Sequence, residues 1–366
     1  MKILYILPHP IQYQTPLIKY LIKKGLNITV GYKSNHSSQK FYDEGFRKKI
    51  NWSKSITQGY NYFYNNKHEI LKKIFTDREI NYVWIHGSKS FYNLIIIIIS
   101  KLLNKKILLR EENFMNSKKR SFFNITSNKF FYFFLDFFIF KYLSIGIKNK
   151  KYYLKNNVNL NKIINVPYCV DNDFFFQKKI KNKKNNFINF LFVGKLNKTK
   201  GLDILIKAFR DIYLKKKLNT KYKLTIVGNG DCYQSLKKIV KKNKLFFIKI
   251  LNFQTQIQLK NIYQNSDVLI LPSRFEPWGL VINEAMSAGN AIICSDNAGS
   301  ANDLVKDKIN GFIFKNENTK DLVKAILKYF QKPNLVIKHK RNGIKIINKF
   351  SFAVCYKNLS KIIKQK

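Results

Sequence analysis

Residues 265–296, "NSDVLILPSRFEPWGLVINEAMSAGNAIICSD", read as a strand, a tight loop, a helix and a second strand. "DVLILPS" is an unbroken apolar run of strand length, "RFEPWG" carries turn residues, "LVINEAMSAG" has helical spacing and ends on Gly289, and "AIICSD" is strand-like again. Apolar strands joined through a helix belong to parallel sheets covered on both faces. Pro277 and Gly279 stand where the helix begins, positions that tolerate or favour both residue types. Such a helix points unsatisfied N–H groups and the positive end of its dipole over the loop, and that end takes phosphate readily.

The same alternation extends in both directions. "KILYILPH" (2–9) precedes a helix over 15–25 whose Leu17, Ile18, Leu21 and Ile22 share a face. "NITVGY", "NYVWIHG" and "KKILLREE" are further strands, with a helix between the last two. A second series starts at "INFLFVGKL" (188–196) and continues through a helix striped by Leu202, Leu205, Ile206 and Phe209. "YKLTIVGNG", "FFIKILNF" and "GFIF" are its further strands outside the opening stretch. The expected fold class is α/β, with two doubly wound Rossmann-like domains facing across a cleft and ligands at the carboxyl ends of the strands. Residues 1–165 form the first domain, 166–187 a linker with a proline and a Lys-rich polar stretch, and 188–348 the second domain. Residues 349–366 form a helix that packs back on the first domain.

Of 366 residues, 68 are Lys or Arg and 21 Asp or Glu, a net charge of +47. The lysines run from end to end and accompany abundant Asn, Ile and Phe, a joint bias that accords with A/T-rich coding. Such a surface is drawn to anionic phosphates, but a specific nucleic-acid reader would gather Arg and aromatic residues on one face. The cysteines, Cys169, Cys232, Cys294 and Cys355, form no CxxC pair and indicate neither zinc nor a disulfide framework, which fits a reducing compartment. The N-terminal apolar run is too short for a signal peptide. No stretch reaches a membrane span, and "NLIIIIIS" (93–100) reads as a core helix. "FFYFFLDFFIF" (130–140), preceded by "NSKKRS", fits either a core helix or one lying on an anionic membrane surface, so 118–143 is the candidate surface segment.

Two carboxylates in the opening stretch, Glu276 and Glu284, can face one cleft. Beside a phosphate-binding helix end they would accept hydrogen bonds from hydroxyl pairs of a ribose or hexose. A second reading makes Glu284 an acid complementing the helix dipole and Glu276 an ordinary loop residue. In "FVGKLNKTKGLDILIKAF" (192–209), Gly194 ends a strand, Lys195 follows, and Lys200-Gly201 opens a helix, so the lysines can converge on an anion. Gly228 and Gly230 of "VGNGD" would let a ligand approach the backbone.

With "LTIVGNGD" and "DLVKDKINGFIF" in the same order, these motifs resemble the nucleotide-binding half of the retaining glycosyltransferases of family four, which have the GT-B fold. The resemblance covers roughly residues 165–330. It is looser over the first 165, carried by "LPHPIQYQTPL", "VWIHG", "LLREEN" and "SIGIKNKKYYLKNNV", with "VPYCVDNDFF" following. It implies that Lys195 (often Arg in the family) and Lys200 hold the diphosphate of a nucleotide-sugar donor, with Gly194 and Gly228 alongside. It implies that Glu284 takes the ribose, and that Glu276 and the amides around Trp278, Gly279 and Leu280 meet the transferred sugar. No cofactor and no metal are expected, because lysines and a helix end would stabilise the leaving diphosphate.

In the first domain "PHPIQYQ" replaces the glycine-rich loop of many relatives, and His9 and Gln12 would border a glycan or lipid-linked acceptor. Arg110, Glu111 and Glu112 are further acceptor-side candidates, and His86, which a structural role would also explain, is the candidate for the family's histidine near the reacting sugar. The implied catalytic set is Glu276, Lys195, Lys200 and His86. The implied activity is transfer of a sugar to an acceptor hydroxyl with retention by front-face displacement, in assembly of a bacterial cell-surface glycan such as lipopolysaccharide, capsule or exopolysaccharide. Its setting would be cytoplasmic, peripheral to the membrane if 118–143 binds one. Other readings are a sugar-nucleotide epimerase of the same fold, an inactive membrane-surface protein and a basic nucleic-acid binder.

Overall fold

The computed structural model describes residues 1–34, 41–43, 48–50, 57–114, 122–177, 187–214 and 221–363. The chain divides into two units. The first holds the chain up to Val170, apart from the Tyr42–Lys48 stretch, together with the segment from Phe352; the second holds Asp171–Ser351.

In the first unit the apolar runs become β1 (Lys2–Leu7), β2 (Asn27–Tyr32), β5 (Asn61–Tyr64), β6 (Ile80–His86), β7 (Lys106–Arg110), β8 (Lys141–Ser144) and β9 (Ile163–Asn165). The short β3 (Phe41–Asp43) and β4 (Lys48–Ile50) pair separately, and the sequence reading missed both. The main sheet runs β5-β2-β1-β6-β7-β8-β9 and is parallel throughout. Strand periodicity splits its core in two. Ile3, Tyr5, Leu7 and Trp84 face one layer with Leu17 and Leu21 of the helix Gln14–Lys23. Leu4, Ile6, Val83 and Ile85 face the other, with Ile96 of the helix Phe91–Leu102 and Tyr132 of the helix Phe122–Phe138. The C-terminal helix Phe352–Ile363 closes the first layer with Cys355, Leu359 and Ile362.

The second unit contains β10 (Phe187–Val193), β11 (Lys221–Val227), β12 (Ile248–Leu251), β13 (Val268–Leu271), β14 (Ala291–Ser295) and β15 (Gly311–Phe314). They form one parallel sheet ordered β12-β11-β10-β13-β14-β15. Every residue of β13 and β14 is buried, which is why these strands read as unbroken apolar runs. Asp267, just before β13, accepts from the Asn189 amide at 2.9 Å and from Lys340 Nζ at 3.1 Å, tying the helix Asn334–Ile347 to the sheet.

The polar linker expected over 166–187 is corrected in part. Val166, Tyr168, Cys169 and Val170 are buried in the first unit, because this apolar stretch continues the chain out of β9 into the core. Asp171 accepts from the Phe174 amide at 3.0 Å and caps the helix Asn172–Phe175 of the second unit. The Lys-rich part, 178–186, lies outside the described residues. Two cysteines far apart in sequence meet here: Cys169 Sγ and Cys355 Sγ are 3.3 Å apart, both as free thiols. Among the described residues no helix is long and apolar enough to cross a membrane.

Leu359 is almost wholly buried beneath the sheet of the first unit. Leu359→Ala should lower the unfolding free energy by about 2–5 kcal/mol, measured by urea unfolding. A loss below the range for a buried leucine would show that the C-terminal helix contributes little to that core.

Candidate functional site

In the second sheet the strand order reverses between β10 and β13. Connections leave such a switch point in opposite directions, which opens a crevice at the carboxyl ends of the two strands. The chain leaves β10 through Gly194 and Lys195, makes a 3-10 turn at Lys198–Lys200, and enters the helix Leu202–Leu214. It leaves β13 through Pro272 to Gly279 and enters the helix Leu280–Ser287. A short Lys200 Nζ to Glu276 Oε2 ion pair joins the two loops, with 18% of the lysine side chain and 13% of the glutamate side chain exposed.

Arg274, which the sequence reading missed, braces this contact. Its guanidinium donates to both Asp203 carboxylate oxygens at 2.8 and 2.7 Å, to Glu317 at 2.7 Å and to the Lys198 carbonyl at 2.8 Å. Its own amide donates to the Thr199 carbonyl at 2.8 Å, so the turn that presents Lys200 is held from several sides. Asp203, thus bonded, has its carboxyl held below the usual range.

Gly279 starts the second helix in the left-handed region, φ 90°, with no side-chain cap. A Cβ there would stand 3.0 Å from Leu271 Cδ2 and 3.1 Å from Glu276 Cγ, so glycine lets Glu276 lie against the helix start. The first helical amides, at Leu280 and Val281, have no partner within their own helix by geometry. Trp278 is buried and can offer a ligand only its backbone: its indole donates to Asn283 Oδ1 at 2.9 Å, and its carbonyl accepts from Ser300 Oγ at 2.6 Å.

Farther along the helix, Glu284 accepts from the Tyr263 hydroxyl at 2.7 Å. Loss of water pushes its pKa up to about 7, against the opposing pull of Tyr263. Tyr263 carried no signal in the sequence. A Cβ at Gly228 would stand 1.9 Å from the Gly194 carbonyl oxygen. This space is filled by protein backbone, and the glycine lets the loop after β11 pack on the loop after β10. Lys195 is half-buried on that same edge.

The first unit repeats the reversal between β1 and β6. His86, the last residue of β6, lies 2.7 Å through Nε2 from the Tyr5 hydroxyl, which donates to Gln14 Oε1 at 3.1 Å. The Tyr5 hydroxyl thus lies between Gln14 and the imidazole and fixes the orientation of the ring. Burial, with Arg110 and Lys33 nearby, holds the imidazole well below its ordinary pKa and keeps it neutral. Asn93 donates to the His86 carbonyl at 3.1 Å and accepts a short bond from Lys33. Burial lowers the Lys33 pKa to about 8.

Gln14, not Gln12, joins this network. Gln14, Leu17, Ile18 and Leu21 follow the inward spacing of their helix, a signal that could have found it. Gln12 and His9 are half-buried in the loop, where His9 Nδ1 lies 3.0 Å from the Pro10 carbonyl.

Arg110 and Glu111 are corrected as direct acceptor contacts. Arg110 is fully buried, its guanidinium carbon 5.1 Å from the Trp84 ring and 5.0 Å from the Tyr168 ring, and it donates to the Val166 carbonyl at 2.7 Å. Glu111 is buried too, taking bonds from the Ser88 amide and hydroxyl at 3.0 and 2.7 Å and from the Tyr132 hydroxyl at 2.6 Å. Both brace the strand end. Glu112 is exposed and accepts from the Tyr168 hydroxyl. Among the described residues no group of three or more His, Cys, Asp or Glu could hold a metal ion.

Residues 171–346, nearly the whole second unit, match the family model for glycosyl transferases group 1. This unit belongs to that family. The chain is similar to Anabaena Alr3699/HepE, solved in complex with UDP and glucose: TM-score 0.75, 14% identity, 100% of both chains covered. That likeness shows the fold, two Rossmann-like domains of the GT-B class. An uncharacterized glycosyltransferase of Methanocaldococcus jannaschii is 29% identical over 236 residues, 61% of this chain and 65% of the relative. The UDP-Gal:alpha-D-GlcNAc-diphosphoundecaprenol alpha-1,3-galactosyltransferase of Escherichia coli is 29% identical over 198 residues, 52% of this chain and 51% of the relative. The chain thus spans less than two thirds of the length of these two curated glycosyltransferases.

A carboxyl whose pKa is raised on folding contributes stability that is fully present at low pH and lost as pH climbs through the folded value. Wild type should therefore lose stability relative to Glu284→Gln between pH 4.5 and about 7, and the gap should level off above that. The slope should stay below about 1.4 kcal/mol per pH unit. Urea unfolding of both proteins across this range measures it. A gap independent of pH would show that Glu284 ionises normally.

Proposed function

We propose that the chain moves a glycosyl group from a nucleoside diphosphate sugar to an acceptor hydroxyl, with retention at the anomeric carbon. The observation that carries this reading is the meeting of Lys200, Glu276 and an uncapped helix start at the switch point of the second unit. Lysine charge and helix amides there would hold the diphosphate and stabilise the negative charge that grows on it as the glycosidic bond breaks. When the donor's phosphate takes up Lys200, Glu276 is released to accept a hydroxyl of the transferred sugar. Lys195 would add charge from the loop after β10, and Glu284 would accept from the ribose.

Glu276 is engaged by Lys200 and lies against the helix start, which suits a sugar-hydroxyl acceptor better than a nucleophile. The acceptor hydroxyl would therefore attack on the side from which the diphosphate leaves. No metal is required in this scheme, since the lysines and the helix end supply the positive charge. In the first unit, neutral His86, oriented by Tyr5, would hydrogen-bond at the reacting sugar, with His9, Gln12 and Glu112 as the acceptor border. The UDP and glucose held by the Anabaena protein and the UDP-Gal named for the Escherichia coli relative support a nucleotide-sugar donor. The latter's diphosphoundecaprenol substrate supports a lipid-linked glycan acceptor and a place in cell-surface glycan assembly on the cytoplasmic face.

Titration calorimetry against UDP-, GDP-, ADP-, CMP- and dTDP-sugars, with EDTA present, tests the reading. One nucleotide class should bind saturably, Lys200→Ala should weaken it at least about tenfold, equivalent to about 1.4 kcal/mol, and Glu284→Ala should weaken it as well. Absence of binding by folded protein, or binding abolished by EDTA, would contradict the proposal.

A further inference from the structure

The helix Phe122–Phe138 buries one face and leaves the other uncovered. Tyr132 and Leu135 enter the core of the first unit. On the opposite side Phe130 is 75% exposed, Phe133 71%, Phe134 48% and Phe137 72%. Their spacing, i, i+3, i+4, i+7, makes a continuous phenyl ridge, an apolar patch of the kind that marks an interaction surface.

A groove of about 240 Å³ lies at the end of this ridge, lined by Phe137 and Phe138 together with Lys101, Lys105, Lys106 and Lys162. Asp136, the neighbouring carboxylate, is paired with Lys162 at 3.2 Å. Lys101 Nζ stands 5.8 Å from the Phe137 ring centroid, so cation and ridge meet at one residue. Lys105 also donates to the Asp77 and Arg78 carbonyls at 3.4 and 3.5 Å.

We infer that this face is a docking surface for an anionic phospholipid bilayer, with the phenyl ridge among the acyl chains and the lysine groove on a lipid phosphate. Charge complementarity selects the occupant. A second copy of the chain would set lysine rim against lysine rim and be repelled, whereas an anionic bilayer offers hydrocarbon and phosphate side by side. No helix among the described residues is long and apolar enough to span, and here a helix with an exposed apolar ridge lies beside lysines carried by neighbouring elements, the pairing of a surface-bound rather than a spanning segment. The inference stands apart from the proposed reaction, since no residue in it belongs to the switch-point sites.

Vesicle flotation of the full chain tests it, using phosphatidylcholine with 30% phosphatidylglycerol against pure phosphatidylcholine, at 0.15 and 0.5 M NaCl. Wild type should float with the anionic vesicles and retain part of that binding at 0.5 M. Phe133→Ser with Phe137→Ser should lower partitioning at least tenfold without moving the thermal unfolding temperature. Lys101→Gln with Lys105→Gln should lower it several-fold at 0.15 M. A Phe133→Trp variant supplies a second readout: lipids brominated on their acyl chains should quench its added emission. The inference is overturned if the phenyl variant partitions like wild type, which would make the attraction charge alone. It is equally overturned if brominated chains leave Trp emission unchanged, or if sedimentation shows a wild-type dimer that the phenyl variant loses.

Discussion

An ammonium and a carboxylate joined across a strand reversal, Lys200 and Glu276, organise the second unit's site. Parallel order forces the loops after β10 and β13 apart, and this pair draws them together at the carboxyl edge. Around it, Arg274 fixes the turn that carries the lysine, and Gly279 lets the helix begin directly against the glutamate. The pair is largely shielded from water, so a phosphate that captured Lys200 would keep the ammonium paired but leave the Glu276 carboxylate in need of a new hydrogen-bond donor. That exchange would leave Glu276 ready for a sugar hydroxyl at the moment the phosphate is bound. Electrostatic preorganisation of this kind needs donors already in place before charge develops.

The first unit meets a different constraint. Its sheet ends in a ring of polar groups that satisfy one another, with Tyr5 oriented between His86 and Gln14, and Glu111 saturated by Ser88 and Tyr132. Arg110, flanked by two aromatic rings, fastens the strand end to the chain leaving β9. In the proposed reaction, neutral His86 and the loop residues His9, Gln12 and Glu112 would meet the acceptor at this braced edge.

Much of this was legible in the sequence, for a physical reason. Strands buried on both faces read as unbroken apolar runs, so "VLIL" and "AIIC" announced a parallel sheet, and Pro277 and Gly279 announced the helix start. What could not be read depended on partners remote in the chain. A basic residue at a strand end looks the same whether it meets solvent or, like Arg110, lies between Trp84 and Tyr168. Arg274 looked like one cation among many until Asp203 and Glu317 converged on it. Nothing in the sequence around Gly228 told that the loop after β10 packs against it. The aromatic run 130–140 was ambiguous because it packs into the core on one face and is exposed on the other.

In the proposed reaction the second unit's switch point receives the diphosphate. Hydrogen–deuterium exchange with and without a saturating nucleoside diphosphate tests it most directly. Exchange should slow in peptides covering 195–202 and at the Leu280 and Val281 amides. Bound nucleotide that leaves both stretches exchanging as before, and protects amides elsewhere, would contradict it.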